Sequence, residues 1–124
     1  MIKIVFCVRR LPTLSPDEFY RYWLDNHGPL VRGHADALRI RRYTQSYTFT
    51  DPRIDPAVIA RGCAVAPYDG VAEVYWDSVE DLVEAGSTPE GRAAGSALLE
   101  DERRFIDMAS SSLFYVRENE IVAR

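Results

Sequence analysis

Histidine is the side chain best suited to moving a proton near neutral pH, and this chain has two. His27 closes the stretch EFYRYWLDNHGPLV, Glu18 to Val31, where an aromatic run stops at His27-Gly28-Pro29. Phe19, Tyr22, Trp23, Asn26 and His27 recur at helical spacing, which places the imidazole on an aromatic stripe one turn after Trp23. A helix that ends at Gly28 would favour the imidazolium by about 0.3–1 kcal/mol. Desolvation beside the aromatics pushes the other way. A histidine poised between these influences suits a general acid or base. The structural alternative is an imidazole that bonds a carbonyl and locks the turn into Pro29. Asp25 should point elsewhere on the helix, which makes it a poor orienting partner.

His34 falls on the same face, with Leu30, Val31 and Leu38. The two histidines could meet in one pocket, but a pair at i, i+7 across a proline is no metal motif. Zinc and iron usually take at least three protein ligands at closer helical spacing. Neither a metal nor another cofactor is expected, and a buried, satisfied His34 is the plainer reading. Tyr43 and Glu73 belong to separate strands. Tyr43 could donate its hydroxyl to a developing oxyanion, or be an ordinary amphipathic strand residue. Glu73 sits in an apolar strand, where a carboxylate is costly unless paired. It either bridges Arg41 or Arg42, or carries a raised pKa and exchanges protons with a ligand. Trp23, Val31 and Trp76 would shape an apolar slot for a flat ring, with plain core packing as the alternative. The glycines form no phosphate loop, and Ser110-Ser111-Ser112 lacks the setting of a nucleophile elbow.

The elements that must position these residues follow from the patterning. At 124 residues, 47% hydrophobic and 27% charged, the chain suits one compact domain, 1–124. A formal net charge of −4 argues against a nucleic-acid partner. Arg39, Arg41 and Arg42 read instead as a wet strand face or edge. Cys7 and Cys63 have no metal-ligand spacing, and Cys7 in an apolar strand reads as core. The N-terminal run MIKIVFCVRR is too short and too charged for a signal peptide, and no apolar run spans a membrane. A cytoplasmic protein is expected.

Ile2–Val8 reads as a strand, with Ile2, Ile4, Phe6 and Val8 on one face and Val5 and Cys7 on the other. Ser15, Pro16 and Glu18 form a capping box with proline in the first turn, and Leu14 could staple on Phe19. Gly28 is expected in the left-handed cap that ends this helix, with Pro29 opening another. A second strand is expected over Ile40–Phe49, a third over Val71–Trp76 and a fourth over Ser112–Ile121. Ser78 and Thr88-Pro89 start further helices, the last with Ala94, Leu98, Phe105 and Ile106 inward. The proline-bearing stretch from Thr50 to Asp69, with one helical turn at Val58–Ala60, is long enough to be a lid.

This order, β-α-β twice, predicts a ferredoxin-like βαββαβ fold of the α+β class: a four-stranded antiparallel sheet with helices on one face. The other face would carry apolar side chains and no cover. The expected answer is a homodimer, sheet against sheet.

The motif W-x-x-x-H-G-P-L-V (Trp23, His27 to Val31) resembles the EthD-type domain. So do R-R-Y-T-Q (Arg41 to Gln45), Y-D-G-V-A-E-V-Y-W-D-S (Tyr68 to Ser78) and T-P-E-G (Thr88 to Gly91). The resemblance implies a dimeric α/β barrel made from two ferredoxin-like sheets. It also implies one of two functions. One is a lyase- or isomerase-type enzyme doing acid–base chemistry on a small apolar or aromatic molecule, with His27 and Tyr43 catalytic and Trp23, Val31, His34, Glu73 and Trp76 binding. The other is a non-catalytic accessory or ligand-binding protein of oxidative degradation, such as ether degradation. A fold in common does not transfer a reaction.

Overall fold

The computed structural model describes residues 1–124. Strand β1 (Ile2–Val8) leads to α1 (Pro16–Tyr22), a π-helical turn (Trp23–His27) and α2 (Gly28–His34). Then come β2 (Arg42–Tyr47), α3 (Pro56–Ala60), β3 (Gly70–Trp76), α4 (Val79–Ala85), α5 (Pro89–Glu102) and β4 (Ser112–Val116). The strands form one antiparallel sheet in the order β2-β3-β1-β4, the ferredoxin-like arrangement.

Register divides the sheet into two faces. Ile4 lies opposite Val74 and Tyr115, Phe6 opposite Ala72 and Leu113, and Tyr43 opposite Val74. Every strand residue that is fully buried belongs to this set: Ile2, Val8, Gly70, Ala72 and Trp76. The alternate set holds Lys3, Val5, Cys7, Thr44, Val71, Glu73, Phe114 and Val116 on the opposite face. Cys7 sits on that face with Val5, as expected, but is half-buried there and not the buried core residue expected of it.

The helix starts follow their sequence signals. The Ser15 hydroxyl accepts from the Glu18 N–H while the Glu18 carboxylate accepts from the Ser15 N–H. Ser78 and Thr88 accept in the same way from Asp81 and Gly91. The expected break at Gly28 does not occur. Gly28 is right-handed helical at φ −55°, ψ −53°, and its N–H reaches back to the Trp23 carbonyl. Pro29 has no N–H to give the preceding turn and its ring crowds the carbonyl four residues back. Widening that turn by one residue carries the helix past it. The wider turn also turns Asn26 out to solvent and keeps Trp23 and His27 in.

Two strands are shorter than expected. Strand β2 begins only at Arg42, after Arg39 takes a left-handed φ of 57°. Strand β4 ends at Val116, so the residues up to Ile121 are not strand. The segment from Phe49 to Pro67 is an excursion of the β2–β3 hairpin and exposes Phe49, Ile54, Val58, Ile59 and Val65.

The core is divided. Val8, Phe19, Trp23, Ala72, Phe105 and Ile106 pack at one end of the sheet, joined by Leu14. Ile2 and Trp76, paired at the far end of β1 and β3, are buried with Ala85 and Ala94. Between the two ends lies a hollow.

Candidate active site

The hollow is a cavity of about 200 Å³ between the sheet and the helices. Ile4, Phe6, Val74 and Ala72 form its floor, and Trp23, Val31, Leu98 and Ile106 its roof and walls. Three side chains on its wall are titratable: His27, Tyr43 and Glu102.

His27 is 3% exposed and held on several sides. Its Nδ1 lies 2.7 Å from Asp101 Oδ2. The Tyr22 hydroxyl donates to Asp101 Oδ1 at 2.5 Å, and Arg104 donates to the same oxygen at 3.2 Å. The Phe105 ring stands 5.1 Å, centroid to centroid, from both His27 and Tyr22. Burial alone would raise the Asp101 pKa, but the bonds from Tyr22, His27 and Arg104 outweigh it and hold the carboxyl below its ordinary value. Asp101 is therefore ionised and accepts from Nδ1–H, which leaves the lone pair on Nε2. Desolvation lowers the His27 pKa, and the bond and charge of Asp101 only partly restore it. The opposing influence is this carboxylate. The field of a helix end plays no part, because the helix runs on through α2.

His27 Nε2 faces Glu102, whose Oε2 is 3.7 Å away, beyond hydrogen-bond range. Burial, then the neighbouring charge of Asp101, pushes the Glu102 pKa up to about 7. A neutral imidazole base and a half-protonated carboxylic acid thus stand side by side at the cavity wall. Tyr43 accepts a hydrogen bond from the Gln45 side-chain amide at 3.0 Å, and the same amide donates to the Trp23 carbonyl at 2.8 Å. Burial raises the Tyr43 pKa to about 12, so the phenol keeps its proton, which no protein acceptor engages.

Of the residues expected at a site, the structure brings His27, Tyr43, Trp23, Val31 and Trp76 together around one cavity. His34 does not line it, because the π-turn and α2 carry it two turns along toward the surface. Glu73 is on the opposite face of the sheet, where it pairs with Lys3 and not with Arg41 or Arg42. No residue of the 50–69 segment lines the cavity, so it does not act as a lid over it in this protomer. Asp101, Glu102 and the Tyr22 hydroxyl escaped the sequence reading. Asp101 was within reach of it: Ala94, Leu98, Asp101 and Phe105 share one helical stripe, and an acid on an apolar stripe requires a partner.

Among all 124 residues, no group of three or more His, Cys, Asp or Glu side chains is placed to hold a metal ion, and no helix is long and apolar enough to cross a membrane. The sequence pattern of the EthD domain matches residues 11–109. Comparison with curated protein sequences finds no match. Among solved structures, an ethyl tert-butyl ether d (EthD) family protein from Bacillus halodurans is 21% identical, with a TM-score of 0.62 over 96% of this chain and 99% of that one. An EthD-like protein from Ralstonia eutropha is 18% identical, with a TM-score of 0.61 over 99% and 94%. A dimeric ferredoxin-like protein of unknown function from Thermobifida fusca is 16% identical, with a TM-score of 0.54 over 93% and 88%. At such identities the likeness to these structures carries the fold.

Proposed function

The chain belongs to the EthD domain family, and from that premise we propose a cofactor-free enzyme that moves protons on a small cyclic or aromatic oxygenated compound. One observation carries this reading: His27, fixed by Asp101, presents a free Nε2 beside the protonatable Glu102 at the wall of an otherwise apolar cavity. An engineered apolar cavity of about 150 Å³ accepts benzene. The 200 Å³ here accommodates a ring with substituents.

Dehydration illustrates the chemistry. Tyr43 donates to a carbonyl oxygen of the bound compound and makes the adjacent C–H more acidic. His27 Nε2 takes that proton, and the electron pair of the C–H bond forms the new double bond. The C–OH bond breaks as Glu102 gives its proton to the departing hydroxyl, which leaves as water. The imidazolium then returns its proton to the Glu102 carboxylate, and both groups regain their starting states. Isomerisation uses the same base but returns the proton to another carbon. A second copy of the chain on the uncovered sheet face completes the proposed assembly.

His27→Ala is expected to abolish turnover of a substrate that wild type converts, and Glu102→Gln to lower kcat by about 10²-fold or more. Activity unchanged in both would overturn the roles given to His27 and Glu102, whereas a compound that binds in the cavity and is not converted by wild type would favour the accessory ligand-binding reading.

A further inference from the structure

Gly95 stands in the interior of α5, where glycine weakens a helix relative to alanine. Two other glycines have steric reasons for their identity. A Cβ on Gly91 would lie 1.7 Å from the Ala85 carbonyl oxygen, and one on Gly70 would lie 2.6 Å from the Trp23 ring. At Gly95 a Cβ would meet no atom within 4 Å. Gly95 borders the cavity, with Leu98, Leu99 and Glu102 along the same side of α5. Gly95 and Leu99 are also exposed, so the cavity meets solvent here. Gly95 precedes Glu102 by two helical turns, about 10 Å along the axis. Gly95 and Glu102 thus mark two points on one wall of the cavity separated by that distance.

We propose that Gly95 sets the length of ligand that the cavity admits. The occupant is an elongated apolar body, about as long as two fused six-membered rings, with its oxygen at Glu102 and its far end passing over Gly95. This rests on reading the cavity as a ligand site and adds the axis along which the ligand lies.

Trp23 and Trp76 are the chain's two tryptophans and both line the cavity, so their indole N–H signals in NMR report its occupancy. Phenol and 2-naphthol serve as probes. Wild type is expected to bind 2-naphthol about ten-fold more tightly than phenol or better, because the second ring buries further apolar area. Gly95→Leu is expected to weaken 2-naphthol about ten-fold while leaving phenol within about two-fold. Gly95→Ala should fold and melt no lower than wild type. The proposal is overturned if Gly95→Leu leaves 2-naphthol binding unchanged or weakens both probes equally. It is also overturned if Gly95→Ala melts lower, since the glycine then serves packing. If neither probe moves either indole signal in wild type, the ligand-site reading itself fails, and this proposal falls with it.

Discussion

At the scale of single residues, the cavity wall sets two titrations against each other. Desolvation keeps His27 neutral to below its usual range, while burial keeps Glu102 protonated up to about pH 7. A reaction that needs both the base and the acid should run best between those two limits. Activity is expected to fall on the acid side as His27 protonates and on the alkaline side near pH 7 as Glu102 ionises. In Glu102→Gln the alkaline limb should vanish along with most of the rate; a limb that persists near pH 7 would assign it to another group. The same carboxyl links pH to stability. Its folded pKa lies above its unfolded value of about 4.5, so its contribution is full below pH 4.5 and is lost as pH rises through 7. The shift corresponds to at most about 3 kcal/mol. Glu102→Gln should therefore raise the melting temperature at pH 8 and change it little at pH 4, measured by calorimetry at both. Asp101→Asn tests the tautomer. An amide can donate to Nδ1 and so drive the proton to Nε2, which removes the base. A loss of about 10²-fold or more in kcat with an intact fold is expected; kcat within two-fold of wild type would deny Asp101 its orienting role.

At the scale of elements, the helix starts were the most legible features, because capping is local chemistry written in three or four consecutive residues. Ser15→Ala should lower stability by about 1 kcal/mol in chemical denaturation while leaving the pH profile of activity in place. The strands were legible by alternation, and register then placed Tyr43 and Trp76 on the cavity face, as the sequence reading supposed. What misled was the passage from Trp23 to Pro29. Histidine, glycine and proline in succession carry every sign of a helix end, yet a widened turn absorbs the proline and the helix continues. That turn also sets the site: His27 stays in line with Trp23, while His34 is carried past the cavity. Local periodicity cannot register a π-turn, whose hydrogen bonds span one residue more than those of an α-helix. Glu73 was misplaced for a related reason. Its partner, Lys3, lies on a neighbouring strand and becomes a neighbour only through the sheet register. The acid pair at the end of α5 depends on α1 and α5 meeting, which spacing along one segment does not reveal.

At the scale of the whole molecule, the proposed assembly turns on the sheet face directed away from the cavity. Val5 and Phe114 are direct cross-strand partners there, with Cys7, Val71 and Val116 beside them. Phe114 remains 45% exposed on the isolated chain. The same face carries Lys3, which pairs with both Glu73 and Glu118, and Arg42, which lies over the Tyr75 ring, so two cations stand with two carboxylates within one protomer. An apolar surface with internally balanced charge favours a self-complementary contact, since a two-fold copy brings neither an unpaired charge nor a repulsive one. Sedimentation of the wild-type chain should give twice its 14.1 kDa. Phe114→Glu places a carboxylate at the centre of the proposed contact and would have to bury it unpaired. It should sediment as a monomer with an unchanged circular dichroism spectrum. Leu24→Glu serves as the control, since Leu24 is exposed on the outer side of the helical layer and its variant should remain dimeric. A wild-type monomer, or a Phe114→Glu dimer as tight as wild type, would remove the sheet face from the interface. The cavity should survive dissociation, because it lies on the helix side of the sheet, opposite the proposed contact. The monomeric variant should thus shift the Trp23 and Trp76 indole signals with phenol as wild type does, and loss of that shift would show that the second copy shapes the cavity after all.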